Sequence, residues 1–201
     1  EVLAMSQENW IRLAVFAAML AAFTISGYFR SKADKSDRKV SNKEENQLVM
    51  HIRNAGALLM YGSILVFLAY PRLIAWGQID LPIGVRWGAV ALLYAMVPAF
   101  YWQLSSLNNN ITRTVAIRQE HQLITAGPYK YIRHPLYTFG LIFIMTIAVA
   151  AASWWIFGLG LVTWIPLAMR TPLEEQKLIE AFGDEYREYI KHTGRYLPKL
   201  F

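Results

Sequence analysis

The sequence predicts an all-α, polytopic membrane protein with about five transmembrane helices, two of them a hairpin in the C-terminal half, and short amphipathic helices on the cytosolic side. Three observations predict it. Of 201 residues, 55% belong to the hydrophobic set and 17% are charged, with a mean hydropathy of +0.27, too apolar and charge-poor for an ordinary soluble domain. The apolar residues gather into runs of bilayer length. The Lys and Arg residues fall almost wholly in alternate connections between those runs.

Trp10 to Phe29 is a run of 20 residues broken only by Arg12, and at 1.5 Å per residue it reaches roughly 30 Å, one bilayer core. It does not read as a signal peptide, because Glu1 and Glu8 stand where a basic region belongs and no small-residue cleavage site follows cleanly. The chain opens on Glu1 in place of methionine, which points to a trimmed start. Ala55 to Tyr70 is a second run, extended back through Leu48 if Arg53 snorkels to the interface. Val85 to Trp102 is a third, with Pro98 as a kink. Leu136 to Met169 holds 34 uncharged residues, about 50 Å as one helix against a bilayer of about 30 Å. It therefore predicts a hairpin of two spans with its turn near Ala152 to Trp155, where the Trp pair reaches the headgroups.

Five spans put the loop 30–47, the segment 103–135 and the tail from Arg170 on one side. That side, with Arg53 at its edge, carries 17 of the 20 Lys and Arg, leaving Arg12, Arg72 and Arg86 on the other. The positive-inside rule then places the N-terminus outside and the C-terminus in the cytosol. Residues 1–103 divide off as the first three spans with the cytosolic loop 30–47, and 104–201 as a core of polar loop 104–135, hairpin 136–169 and C-terminal helices 170–201.

The net charge of +6 is thus explained by topology, and nucleic acid is not expected as a partner, since no recognition helix or aromatic-basic platform accompanies it. Zero cysteines exclude disulfides, thiolate metal sites and thiol nucleophiles. His51, His121, His134 and His192 lack metal-ligand spacing, so no metal is expected. No P-loop or HExxH occurs, and Gly158-Leu159-Gly160 lies in an apolar span without a preceding strand.

Two polar segments carry candidate chemistry. In EHQLITAGPYKYIRHPLY, residues 120–137, Gly127-Pro128 signals a turn and His134 is pushed out of the helical region by Pro135, so a helix starts near Pro135. A polar ligand site and a headgroup-anchoring loop both fit its His, Tyr and Arg content. In Arg170 to Glu175, Pro172 is expected to end the span and Thr171 to cap a new helix, with Glu174 completing a capping box. That cap accounts for Glu174, and the helix dipole for Glu175, without any function. The new helix stops at Gly183 and restarts at Asp184.

HQLITAGPYKYIRHPLY, then a hairpin, then RTPLEEQKLIEAFGDEYREYI closely resembles the isoprenylcysteine carboxyl methyltransferase family and its relatives among the phospholipid N-methyltransferases, over roughly residues 104–198. The resemblance implies methyl transfer from S-adenosylmethionine to a lipophilic or lipidated acceptor that partitions into the membrane. Residue by residue, His121, Gln122, Leu123 and Ile124 match a stretch that contacts the adenosine. Tyr129 matches a cofactor-contacting tyrosine, and His134, Pro135, Leu136 and Tyr137 match the HPxY cofactor stretch. Arg170 matches the arginine assigned to the acceptor and Glu174 the cofactor-binding glutamate, and both are the expected catalytic pair. Glu175 belongs to an EE pair that the phospholipid-modifying relatives also use, and it too is expected to bind the cofactor. The acceptor is expected to enter from the lipid and the cofactor from the cytosol. A carboxylate acceptor could be oriented by Arg170 without a general base, whereas an amine must lose a proton. Phospholipid N-methylation and a non-catalytic membrane protein of the same fold are the alternatives.

Overall fold

The computed structural model describes residues 6–34, 47–107 and 123–199. Among these it is all-helical. Helix α1 spans Gln7–Asp34, α2 Gln47–Ala69, α3 Ile83–Leu107, α4 Pro135–Ala150, α5 Trp154–Phe182 and α6 Asp184–His192. Ser6 opens α1, its hydroxyl accepting from the Asn9 amide at 3.3 Å.

Helices α1, α2, α3 and α5 are long and apolar enough to cross a membrane. Helix α4, with 16 residues, is about 24 Å long and falls short of a full hydrocarbon core. The expected fifth span is therefore a shorter apolar helix. The uncharged 34-residue run does break where expected: Ala152 takes a left-handed φ of 49°, and the Ser153 hydroxyl caps α5 by accepting from the Ile156 amide at 3.3 Å.

The expected break at Thr171-Pro172 does not occur. Helix α5 runs on for 29 residues with Pro166 and Pro172 inside it. A proline inside a helix strands the carbonyl four residues back, here that of Ala168. The Tyr196 hydroxyl lies 3.3 Å from that oxygen and 2.7 Å from Thr171 Oγ1, so a residue of the tail supplies the missing donor. Thr171 Oγ1 donates to Leu167 O at 3.1 Å and caps nothing. At about 43 Å, α5 outruns a bilayer core of about 30 Å. Its last turns, with Arg170, Glu174 and Glu175, therefore project past the apolar part of the bundle. Gly183, at φ 57°, then turns the chain into α6 as expected.

Helix α2 packs on α5, α3 on α4, α1 on α3 and α4 on α5, while α1 and α2 touch little. At Gly160 a Cβ would come within 2.8 Å of Ile144 Cγ2, so the missing side chain lets α4 and α5 approach. The fully buried side chains Ile11, Val15, Ile64, Phe67, Leu93, Ile147 and Ile156 all belong to one end of the bundle. That end is closed further by Trp76 against Trp154 and Trp155, ring centroids 5.7 and 5.0 Å apart, and by Ile79 N donating to Ala152 O at 2.8 Å.

Two arginines finish this closed end by capping helices other than their own. Arg86 Nε donates to Ala150 O, the last carbonyl of α4, at 2.8 Å, and its two amino groups grip Glu8 at 2.7 and 3.0 Å. Arg12 donates to Leu68 O near the end of α2 at 3.0 Å. A cation there meets both orphaned carbonyls and the negative end of the helix dipole. Arg86→Met should therefore cost about 2 kcal/mol and lower the thermal unfolding midpoint by several degrees. An unchanged midpoint would show the pair to be ornamental.

Candidate functional site

The opposite end of the bundle is assembled by a polar loop and the tail. Residues Gly127–Lys130 form a single 3-10 turn. Gly127 takes φ 62°, and a Cβ there would lie 2.0 Å from Ser106 Oγ, so the turn sits hard against α3. This buries Tyr129, whose hydroxyl accepts from Gln103 Nε2 at 3.3 Å and whose carbonyl accepts from the Tyr189 hydroxyl at 2.6 Å. Helix α4 begins at Pro135 with His134 outside the helical region ahead of it, at φ −120° and ψ 58°.

The loop then runs beside the tail as a short parallel pairing. Arg133 N donates to Gly194 O at 2.8 Å, His134 N to Arg195 O at 3.0 Å, and Gly194 N to Tyr131 O at 3.2 Å. Only glycine fits at 194, since a Cβ would stand 1.7 Å from Leu197 O. Gly194→Ala should thus detach Arg195 and Tyr196 from the loop, read as faster proteolysis of the tail. Wild-type protease resistance would contradict this pairing.

These elements bring a dense set of charges together from four places in the chain. The Tyr137 hydroxyl donates to Glu174 Oε1 at 2.7 Å, and Arg170 reaches the same oxygen at 2.8 Å. Glu175 faces the other way. Arg133 Nε donates to its Oε1 at 2.8 Å, and Arg195 Nε to its Oε2 at 3.1 Å. Arg133 also donates to Thr193 O, which ties the guanidinium to the tail. The His134 ring stands between the carboxylates, Nδ1 3.6 Å from Glu174 and Nε2 3.4 Å from Glu175. It stacks on Tyr137 with centroids 5.6 Å apart and planes 14° from parallel. The side chains of Arg133, His134 and Glu175 are less than a tenth exposed, so these charges interact with little screening.

Burial pushes the hydroxyls of Tyr129 and Tyr186 far above the usual phenol range. It raises that of Tyr189 to about 12, the charge of Arg133 opposing it only in part. These phenols stay protonated and can serve as donors, not as bases.

Beside the cluster lies a cavity of about 330 Å³ between α1, α2, α3, α4 and α5. Met60, Phe100, Phe143, Ile144 and Leu167 are among its apolar walls, and Leu136 and Tyr137 bring the loop's helix to it. Tyr137 thus touches both the charge cluster, through its hydroxyl, and the apolar cavity.

Of the residues singled out in the sequence, His134, Tyr137, Arg170, Glu174 and Glu175 converge here. Pro135 starts α4, and Leu136 lines the cavity. Tyr129 sits apart from the charges, under α3 and α6. Leu123 and Ile124 are half-buried in irregular chain leading to the turn, and His121 and Gln122 lie outside the described residues. Sequence reasoning missed Arg133 and Arg195 as the partners of Glu175, and Tyr196 as the partner of α5. It also missed Gln103, which follows the third apolar run directly, where a polar residue reads as solvated. Here it is fully buried. No local signal marks any of these, because their partners lie 20 to 60 residues away.

The fold and this cluster define a polytopic helical membrane protein whose polar chemistry gathers at one end of the bundle and adjoins an apolar cavity. Residues 89–180 match the model of the isoprenylcysteine carboxyl methyltransferase (ICMT) family, the family that the motif resembles. It is 28% identical over 116 residues to the protein-S-isoprenylcysteine O-methyltransferase of Dictyostelium discoideum, covering 56% of this chain and 48% of that protein. It is 33% identical to protein-S-isoprenylcysteine O-methyltransferase B of Arabidopsis thaliana, covering 44% and 47%. It is 36% identical to the methanethiol S-methyltransferase of Pseudomonas deceptionensis, covering 36% and 27%. The matched region thus spans half or less of these relatives' own length.

Proposed function

We propose that the chain is an S-adenosylmethionine-dependent methyltransferase for an acceptor dissolved in the membrane, most like isoprenylcysteine carboxyl O-methyltransferase. One observation carries the reading: Tyr137 joins a buried carboxylate cluster to an apolar cavity, so a polar methyl donor and a lipophilic acceptor could meet across one residue. By the positive-inside count, the cluster faces the cytosol.

The residues present suit the donor. Glu174 offers a carboxylate for its ammonium or ribose hydroxyls, and the His134 and Tyr137 rings offer flat surfaces. Gln103 Oε1 is buried beside Tyr129 with no hydrogen-bond partner among the described residues, the kind of acceptor that an adenine amine or a ribose hydroxyl would satisfy. S-adenosylmethionine supplies a methyl already made electrophilic by its sulfonium. The chain's own task is positioning, holding the acceptor in line and keeping water out. Glu175 is engaged by Arg133 and Arg195, so its role in this reading is to fix the loop and tail around Glu174. Arg170 is held by Glu174 at the edge of the cluster, where it can orient an acceptor.

A carboxylate acceptor fits this arrangement better than an amine. Its oxygen forms the new C–O bond as the S–CH3 bond breaks, the opposite charges cancel, and no proton has to leave. An amine needs a base, and Glu174, tied to Arg170 and Tyr137, is a poor one. The test is equilibrium binding of S-adenosylhomocysteine to the purified protein, followed by incubation of membranes with methyl-labelled donor. Label in base-labile esters supports the reading. Label in phosphatidylethanolamine derivatives would transfer it to N-methylation, and no binding by folded protein would overturn it. Orientation is tested separately: a single cysteine placed at Lys130, in a chain with no native cysteine, should resist an impermeant label added from outside.

A further inference from the structure

Gln103 has a polar side chain that the charge cluster does not use. It is fully buried on α3, next to Leu104 and one turn beyond Phe100, both of which line the cavity. Its Nε2 donates to the Tyr129 hydroxyl at 3.3 Å, while its Oε1 has no partner among the described residues. A buried amide oxygen left unpaired carries its full desolvation penalty, and a leucine or methionine would fill the same space without it. Packing therefore does not account for a glutamine here, whereas a ligand arriving with an N–H does. The Tyr129 hydroxyl accepts from Gln103 and so keeps its own proton to give. The two side chains thus offer one acceptor and one donor side by side, on neutral groups. Helix α6 ties them to the charged cluster: the Tyr189 hydroxyl donates to Tyr129 O at 2.6 Å, and the Tyr189 ring packs at 5.7 Å on Tyr186, whose hydroxyl feels the charge of Glu175.

We infer that Gln103, steered by Tyr129, is a specificity-determining residue for the methyl donor: its Oε1 accepts from the 6-amino group of the purine, and the Tyr129 hydroxyl donates to the adjacent ring nitrogen. Adenine presents this complement, an exocyclic N–H beside a ring-nitrogen acceptor. A ribose hydroxyl answers one of the two groups and leaves the other orphaned. The donor's ammonium is matched by the carboxylates of the cluster, where a neutral amide offers less. The inference rests on the S-adenosylmethionine reading above and deepens it by dividing the donor between two sites. Its charged amino-acid end goes to the cluster around Glu174, and its neutral base goes to Gln103 and Tyr129.

The test uses the full chain in detergent and measures equilibrium binding of S-adenosylhomocysteine and of its 6-deamino analogue, whose purine carries hydrogen in place of the amino group. Wild type should bind the analogue at least about tenfold more weakly, because the Gln103 oxygen is orphaned again. In Gln103→Leu the two ligands should bind within about twofold of each other, since no oxygen is left to lose the contact. A merely structural glutamine gives a different result: the folded variant weakens both ligands alike and keeps the wild-type preference for the amine, which would overturn the inference. Equal binding of the two ligands by wild type would overturn it before any substitution. Should Gln103→Leu not fold, Gln103→Met, which matches the length of glutamine, carries the same comparison. The two readings fail separately. Tight S-adenosylhomocysteine binding without discrimination sinks this inference alone, whereas folded wild type that binds neither ligand sinks the methyltransferase reading and this one with it.

Discussion

Glu174→Gln should leave the protein folded and weaken S-adenosylhomocysteine by at least about tenfold in Kd. The amide is nearly the same size as the carboxylate, and its oxygen can still accept from the Tyr137 hydroxyl that now lies 2.7 Å away. What it loses is the charge that pairs with Arg170 at 2.8 Å and would face the donor's ammonium, and hydrogen bonds to charged groups contribute about 1.5–3 kcal/mol each; the amide oxygen can still accept from the Arg170 guanidinium. The helix does not need the carboxylate as a cap, because α5 passes through this position without a break. The unfolding midpoint should therefore move little, and methyl transfer should fall with donor binding. Normal donor binding in a folded Glu174→Gln protein would remove Glu174 from the donor site.

Glu175→Ala should do the reverse and act first on stability. Glu175 and Arg133 are both nearly buried, at 7% and 8% side-chain exposure, and Arg195 closes on the second carboxylate oxygen. Removing the carboxylate strands a buried guanidinium, and breaking such a pair costs about 3–5 kcal/mol. In a chain of this size that corresponds to a fall on the order of 10 °C in midpoint, with the tail from Thr193 released to proteases. Replacing both partners, Glu175→Leu with Arg133→Met, should recover much of the loss, because the desolvation cost vanishes with the pair. A wild-type midpoint for Glu175→Ala would mean that this ion pair does not hold the tail. The two neighbouring glutamates are thus separable: one substitution removes binding at constant stability, the other removes stability and takes binding with it.

Their sequence neighbourhood could not separate them. Both stand in Thr171-Pro172-Leu173-Glu174-Glu175, where a capping box and a helix dipole account for two carboxylates without any site. That local rule failed because Tyr196 lies over the stranded Ala168 carbonyl and removes the reason for the helix to stop at Pro172. Pro135 obeyed its rule because its preceding residue is a loop residue with no helix behind it to rescue. The difference is one tyrosine hydroxyl arriving from 28 residues away.

Legible along the chain alone were the membrane class, the near-boundaries of the apolar helices except the C-terminal end of α5, the hairpin turn at Ala152 and Ser153, the irregular loop before Pro135, and the family motif. Each of these follows from forces that act within a turn or two of chain: the length of an apolar run against a bilayer, the φ of proline and glycine, the missing amide of X-Pro. The tertiary structure decided which charges meet. Arg133 is 42 residues from Glu175 and 60 from Thr193, and an arginine waiting for a partner looks like any other basic residue at a membrane edge. It also decided that Arg30 and Arg53 line a cavity instead of only facing headgroups, because that depends on how α1 and α2 stand against α5, and hydropathy carries no information about which face of a span meets a neighbour.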